Sequence, residues 1–483
     1  MKPVLNLLIA IVMISTLLGA MNLEQASTPT HEAAYVEPGL WSAESETLSL
    51  IVTATNSQTA AGIVESVGGQ VSSDLWLVDS VAALLPAGQL EALAADPGIR
   101  FIVQNKGVAT AQGPMDAEGW VTDYRFPVPW DGSPDVEPTH DEQSWKLVYP
   151  TVIDVGADVF FDGVYSETEF GDPIRGDGIT IAVIDSGVYF SEEVKHTLGN
   201  LVAKQFIGQA DFVADGLCSE VGTGKYKNSI IQGDGFCWTD FRKSQDGYGH
   251  GTHVAGIVWN RFEDDATRTV IGVAPQANVL SVRVLGDDGV GTYEDVIEGI
   301  QYVVQHKDTH GIRVLNMSLS ATPTTPYFAD PLDRAAEAAW ANGIVVVAAA
   351  GNSGPQAETI TVPGNDPYVI TVGAIDGQRT PGYWLDDSLA SWSATGPTLD
   401  GFPKPDILAP GMNIVAFMYN DQNDVTNSAL LVQQHPDYSE TSDLFRMNGT
   451  SMSTAVTSGV VALMLQAHPE LTPDQVKYRL MVS

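Results

Sequence analysis

The C-terminal two-thirds of this 483-residue chain contains a series of short, nearly continuous apolar segments. Unbroken apolar runs of this length are typical of parallel strands that are covered on both faces. In chain order the runs are ITIAVID, NVLSVRVL, IRVLNMSLS, GIVVVAAAGN and YVITVGAID. Helix-like stretches lie between them, for instance Tyr293 to Lys307 and Pro331 to Asn342. The pattern predicts an α/β unit over residues 151–483 with a doubly wound, mostly parallel sheet and a functional site at the carboxyl ends of its strands.

A different order of elements is predicted for residues 45–106. Strand-like and helix-like segments alternate there as β-α-β-β-α-β, the order found in small α+β ferredoxin-like domains. Residues 107–150 are rich in Gly, Pro, Asp and Trp and have no periodicity, so we expect a linker and a domain boundary in this stretch.

The N-terminus is typical of an exported protein. Lys2 precedes an apolar stretch from Val4 to Leu18, and the small residues Gly19 and Ala20 follow it. The sequence therefore predicts a secretory signal peptide over residues 1–20, with an uncleaved membrane anchor as the alternative.

The charge balance restricts the possible partners. The chain has 60 acidic and 23 basic residues, a formal net charge of −37, which repels phosphate backbones and anionic lipid headgroups. We therefore expect no nucleic acid and no stable membrane partner. A solvated acidic surface explains the charge without a metal, although clustered carboxylates could hold structural calcium. The two cysteines, Cys218 and Cys237, form one local disulfide in an exported chain or remain two thiols.

Polar residues that could carry chemistry follow several of the predicted strands. They lie in the segments IAVIDSG ending at Gly187, DGYGHGTHVAG from Asp246, AAAGNSG ending at Gly354, and NGTSMSTAV from Asn448. Each segment also has an ordinary structural interpretation. An Asp or Asn at a strand end is often a turn residue, and a Thr such as Thr450 is often a helix N-cap. His253, inside the start of a helix, is interpreted as structural.

Together and in this order, the four segments closely resemble the motifs of the subtilisin-like serine proteases, or subtilases. The resemblance covers about Ile174 to the end of the chain. It implies that Asp185 orients the imidazole of His250, which acts as general base and then general acid. It further implies that Ser451 is the nucleophile, and that the Asn352 side chain and the Ser451 backbone N–H bind the oxyanion.

The resemblance also implies a substrate cleft and an inhibitory propeptide. The walls of the main specificity pocket are expected at Ser318, Leu319 and Ser320 and at Ala349, Ala350 and Gly351. Residues 45–106 would be the propeptide, an intramolecular inhibitor, with self-cleavage between Gln104 and Met115. An independent ferredoxin-like binding domain is the alternative.

The family pattern therefore predicts a secreted serine endopeptidase that acts on polypeptides through an acyl-enzyme and needs no cofactor for catalysis. Structural calcium is a family expectation, with no ligands identifiable here. A catalytically inactive peptide-binding module with the same fold is the alternative function. Family members usually continue beyond a helix such as the one near Thr472, so this sequence is expected to be a fragment.

Overall fold

The computed structural model describes residues 33–113, 174–191, 205–213, 230–231, 237–239, 243–259, 272–378, 385–421, 425–439 and 444–482. The predicted signal peptide, most of the predicted linker and Cys218 lie outside these ranges, so the predictions that concern them are not tested. Within these ranges, no helix has both the length and the apolar character that a membrane crossing requires.

Residues 33–104 form a small unit around a five-stranded sheet. Its strands are β1 (Tyr35–Val36), β2 (Thr47–Thr53), β3 (Gln70–Leu75), β4 (Ser80–Pro86) and β5 (Phe101–Gln104), and its helices are α1 (Ser57–Ser66) and α2 (Leu90–Ala94). The order across the sheet is β1-β5-β2-β4-β3. From β2 to β5 the elements follow the order β-α-β-β-α-β, and β1 is an additional edge strand that the sequence pattern did not indicate. The unit has an apolar core of its own, which includes Leu50, Val52, Val64, Leu85 and Leu93.

The described residues between 174 and 482 form a large unit, in which ten strands make up the main sheet. Its strands are β7 (Thr180–Asp185), β9 (Phe206–Asp211), β10 (Ile230–Ile231), β11 (Cys237–Thr239), β13 (Asn278–Arg283), β15 (Ile312–Met317), β17 (Val345–Ala349), β18 (Ile370–Asp376), β19 (Ser388–Leu389) and β20 (Ile407–Pro410). The order across the sheet is β10-β11-β9-β13-β7-β15-β17-β18-β19, and β20 also pairs with β18. Strands β9, β13, β7, β15, β17, β18 and β20 are mutually parallel. The predicted α/β class with a mostly parallel sheet is therefore confirmed.

The remaining elements of the large unit cover and connect the sheet. The helices are α3 (His250–Trp259), α4 (Tyr293–His310), α5 (Pro331–Ala341), α6 (Leu430–Gln434), α7 (Thr450–Ala467) and α8 (Pro473–Val482). The short strands are β8 (Phe190–Ser191), β12 (Lys243–Ser244), β14 (Val290–Thr292), β16 (Leu319–Ser320), β21 (Ile414–Phe417) and β22 (Leu444–Met447). Helix α3 packs on α7, and α4 packs on α5. All six residues of β7 are buried, which requires cover on both faces of the sheet and explains its unbroken apolar sequence.

The segment that joins the two units differs from its prediction. The sequence pattern indicates a linker from Gly107 onward, but Gly107–Thr110 form a strand, β6, which lies between β14 and β16 and is antiparallel to both. Four residues are too few to show a periodicity, and the strand exists because two strands of the large unit satisfy its backbone hydrogen bonds. We call residues 105–113 the tail segment.

Candidate active site

Asp185 is the last residue of β7 and lies at the carboxyl edge of the sheet. Its carboxylate is fully buried and accepts hydrogen bonds from the backbone N–H of Ser186, at 2.8 Å, and from the Ser186 hydroxyl, at 3.3 Å. The Ser186 hydroxyl oxygen in turn accepts the N–H of Gly251 at 3.0 Å. A side chain at position 251 would collide with the carbonyl oxygen of Gly187, so the glycine allows this close approach.

His250 is the first residue of α3 and faces Asp185. Its Nδ1 lies 2.8 and 2.9 Å from the two carboxylate oxygens of Asp185. The helix end that carries it is held by Asp246, whose carboxylate accepts the N–H of Gly249 at 2.7 Å and the N–H and hydroxyl of Thr252 at 2.8 and 2.6 Å. With Nδ1 donating to Asp185, the Nε2 of His250 is the nitrogen that can accept a proton.

Ser451 is the second residue of α7 and is fully buried. The interpretation of Thr450 as the N-cap is wrong, because the cap position is Gly449 and Thr450 is already helical. The Thr450 hydroxyl instead accepts the N–H of Gly351 at 3.2 Å. A Cβ atom at position 449 would lie 2.7 Å from the carbonyl oxygen of Ala111, so glycine at the cap leaves room for the tail segment.

Asn352 follows β17 and completes the site from the other side of Ser451. Its Oδ1 accepts the N–H of Thr450 at 2.9 Å, which fixes the orientation of the amide. Its Nδ2 then donates to the carbonyl oxygen of Ala111 at 2.5 Å. The backbone N–H of Ser451 donates to the same oxygen at 3.3 Å. Two donors from distant parts of the chain thus converge on one carbonyl, which is the arrangement of an oxyanion hole.

The residues expected to form the pocket walls lie in two segments, one of which pairs with the tail segment. In β16, Leu319 pairs with Thr110 and Ser320 with Ala109, and the carbonyl oxygen of Ser318 accepts the N–H of Ala111 at 3.1 Å. The other expected wall is the end of β17 and the loop that follows it, with the buried residues Ala349, Ala350 and Gly351. The tail segment therefore lies between β14 and β16 as an added strand.

Ser451 and His250 are not hydrogen-bonded in this structure. The Ser451 hydroxyl donates to the carbonyl oxygen of Ser318 at 3.1 Å. The Nε2 of His250 is buried and has no hydrogen-bond partner among the described residues. Catalytic hydrogen bonds are often absent before the reacting geometry is reached, so this arrangement is compatible with proton transfer between the two residues.

His253 is not part of the site, in agreement with its structural interpretation. It is fully buried one turn along α3, and its Nε2 hydrogen-bonds the carbonyl oxygen of Phe445 at 2.9 Å. Burial lowers the pKa of His253 to about 3, so this imidazole stays neutral.

Sequence reasoning missed the residues that support the site. Asp246 stands in a predicted motif without a role of its own, yet it caps the helix that carries His250. An Asp shortly before a predicted helix start is the signal for such a cap. Arg283 was not singled out at all. Its fully buried guanidinium donates to the carbonyl oxygen of Ser186 at 3.2 Å and to the Asp211 carboxylate at 3.1 Å, beneath the Asp185 loop. No pattern along the chain indicates this contact.

No calcium site is identified in the described part of the chain. No group of three or more His, Cys, Asp or Glu side chains there is placed to hold a metal ion.

Comparison with known proteins assigns the large unit to a family. Residues 176–483, more than half of the chain, match the model of the subtilase family. The chain belongs to the subtilase family. It is 37% identical over 313 residues to serine protease AprX of Bacillus subtilis, which covers 64% of this chain and 61% of that protein. It is 36% identical over 237 residues to subtilisin DY of Bacillus licheniformis, 49% of this chain and 70% of that one.

A solved structure extends the similarity of fold to both units of this subtilase. Fervidolysin from Fervidobacterium pennivorans, described as a keratinolytic enzyme related to subtilisin, matches with a TM-score of 0.61 and 20% sequence identity. The match covers 92% of this chain and 58% of that one. The chain thus spans only about three-fifths of the length of AprX and of fervidolysin.

Proposed function

We propose that this subtilase is a serine endopeptidase made as a precursor, and that Asp185, His250 and Ser451 cleave its own bond between Ala111 and Gln112. One observation carries the proposal: the carbonyl oxygen of Ala111 accepts hydrogen bonds from both the Ser451 N–H and the Asn352 amide. This bond lies inside the range from residue 104 to residue 115 in which the sequence predicts self-cleavage.

The proposed reaction begins when the Ser451 hydroxyl oxygen attacks the carbonyl carbon of Ala111 and its proton moves to Nε2 of His250. The negative charge on the Ala111 oxygen is stabilised by the Asn352 amide and the Ser451 N–H. The bond to Gln112 then breaks as His250 returns the proton to the leaving nitrogen. Water hydrolyses the resulting ester through the same groups, which frees Ser451 and leaves a carboxylate on Ala111.

The small unit is the propeptide in this proposal. Its body contacts the large unit directly, for example through Ser73 and Glu298, and its tail segment adds strand β6 between β14 and β16. After cleavage the tail segment up to Ala111 would remain paired in the cleft, so the propeptide would inhibit the enzyme until it dissociates. Export is proposed from the apolar segment Val4 to Leu18 and the small residues after it.

Intact mass over time tests the proposal. We expect the full chain to produce a fragment that begins at Gln112, whereas Ser451→Ala keeps the precursor whole. Ser453→Ala is the matched control, because Ser453 is a buried serine on the same helix whose hydroxyl donates to Ala409 rather than lying in the cleft. It should be processed like the wild type.

Two results would reject the proposal in different ways. Cleavage of the Ser451→Ala protein at the same bond would show that another protease acts. A folded wild-type chain that stays whole and cleaves no peptide would replace the enzyme with an inactive peptide-binding module, the alternative function.

A further inference from the structure

Lys106 occupies a defined position in the tail segment, five residues before Ala111. If Ala111 is the first residue before the cleaved bond, Lys106 is the sixth. Its carbonyl oxygen accepts the N–H of Tyr293 at 3.0 Å, so the pairing that starts in β6 extends to this residue. Its side chain is only 10% exposed and points to the large unit, not to solvent.

The ammonium group of Lys106 meets a buried carboxylate. Its Nζ lies 3.5 Å from Oδ2 of Asp330, a fully buried side chain, and 5.3 Å from the centre of the Tyr293 ring. The same Oδ2 accepts the hydroxyls of Tyr293, at 3.1 Å, and Thr325, at 3.0 Å. The small unit adds Glu37, at 3.6 Å from the ammonium. Of these groups around the ammonium, Asp330, Tyr293 and Thr325 belong to the large unit and stay with it when the propeptide leaves.

The other carboxylate oxygen of Asp330, Oδ1, has a structural role. Its Oδ1 accepts the N–H of Leu332 at 2.9 Å and so caps helix α5. Burial raises the pKa of Asp330, and the ammonium of Lys106 acts in the opposite direction. Lys106 is the cation that forms an ion pair with Asp330 among the described residues. When the tail segment is released, the position of the ammonium is surrounded by the Asp330 carboxylate, the Tyr293 ring and the hydroxyls of Tyr293 and Thr325. These groups favour the binding of another cation there.

We propose that Asp330 and Tyr293 form a binding subsite for a lysine or arginine side chain six residues before the cleaved bond of a polypeptide substrate. The inference rests on the proposed function, because the cleaved bond defines the count. A substrate strand that pairs with β14 and β16 as β6 does would place its sixth side chain against Asp330. The net charge of −37 also favours the approach of basic polypeptides.

Hydrolysis of matched peptides by the full chain, after it has processed itself, tests the subsite. The first peptide is internally quenched and carries the tail sequence KGVATAQG. The second has norleucine in place of the lysine, which keeps the aliphatic stem and removes the charge. The third carries norleucine at the sixth position and lysine at the seventh, which keeps the net charge of the first. All are compared by kcat/KM at about 0.15 M salt, where long-range attraction is screened.

We expect the first peptide to be cleaved about five- to tenfold faster than either of the others. In Asp330→Asn, which keeps a good helix cap, this ratio should fall to about one or two. Asp333→Asn, three residues further along α5, is the matched control and should keep the wild-type ratio. Only ratios within each enzyme are compared, so a general loss of activity in a variant does not affect the test.

Equal cleavage of the three peptides by the wild type would overturn the subsite and leave the proposed function intact. An unchanged ratio in Asp330→Asn would overturn it as well, because the preference would then come from other residues. Cleavage of none of the peptides by a folded wild-type chain would reject the proposed function, and the subsite with it.

Discussion

His250 and His253 lie one turn apart on the same helix, and their surroundings give them different chemistry. His250 has a carboxylate on Nδ1 and a free acceptor on Nε2. His253 is fully buried with its Nε2 on the carbonyl oxygen of Phe445, and burial lowers its pKa to about 3. An identical side chain is therefore available for proton transfer in one position and inert in the other.

Asn352 provides a test at the scale of one residue. Replacement by Ala removes one of two donors to the Ala111 oxygen, and loss of one such donor typically lowers kcat by about 10²–10³. KM should change little, because the donor acts mainly on the charge of the transition state. Steady-state kinetics on a peptide substrate measure both constants.

The matched control is Asn342→Ala, an exposed asparagine after α5 whose amide donates to the Ala338 carbonyl. It should leave both constants as they are. A kcat for Asn352→Ala within tenfold of the wild type would contradict the assigned role.

Helix α3 depends at its first turn on Asp246. A helix N-terminus leaves several backbone N–H groups unsatisfied, and here one buried carboxylate accepts two of them together with the Thr252 hydroxyl. The position of His250 thus depends on a residue that takes no part in the proposed chemistry.

Asp246→Ala tests this dependence at the scale of the element. The loss of the cap should lower the free energy of unfolding by about 1–2 kcal/mol, measured by urea denaturation in a Ser451→Ala background that prevents self-digestion. With Ser451 restored, kcat should fall because His250 is less well held.

Asp288→Ala serves as the control, since Asp288 is exposed and caps only a local turn through the N–H of Val290. If the two variants unfold at the same urea concentration, Asp246 does not stabilise the helix.

At the scale of the whole molecule, the interface between the two units buries acidic groups. Glu298 of α4 accepts the hydroxyl of Ser73 from β3. Burial is the main cause that raises the pKa of Glu298 to about 7; the hydrogen bond from Ser73 acts in the opposite direction, and the charges of Glu294 and Asp295 raise it further. A carboxyl whose pKa is higher in the folded state binds its proton more tightly there, so folding is favoured at low pH.

The stability of the full chain should therefore fall as pH rises from the ordinary glutamate value near 4.5 through about 7. Glu298→Gln removes this titrating group. The free energy of unfolding of the variant, minus that of the parent, should therefore rise by about 1–2 kcal/mol between pH 5 and pH 8. Urea denaturation of Ser451→Ala proteins at several pH values measures the difference.

Glu65→Gln, at an exposed position on α1, is the control and should follow the parent at every pH. Parallel curves for Glu298→Gln and the parent would show that Glu298 does not couple the interface to pH.

The sequence by itself predicted the class of the fold, and its resemblance to the subtilases predicted the residues of the candidate site. Strands buried on both faces must be apolar throughout, so the parallel sheet is visible in the composition of its strands. Short segments rich in glycine and small residues contain the four predicted site residues, Asp185, His250, Asn352 and Ser451. Glycines allow close backbone approach, so these segments can also be recognised in the sequence.

Only the tertiary structure decided which bond faces the site and which residues support it. Residues 107–110 carry too little pattern to indicate a strand, and the position of Ala111 follows from pairing with β14 and β16, which are distant in sequence. Asp330, just before a predicted helix, and Glu298, within another, have no distinguishing pattern in the sequence. Burial by elements far along the chain gives them their properties, because desolvation and ion pairing depend on distances in space and leave no local signal in the sequence.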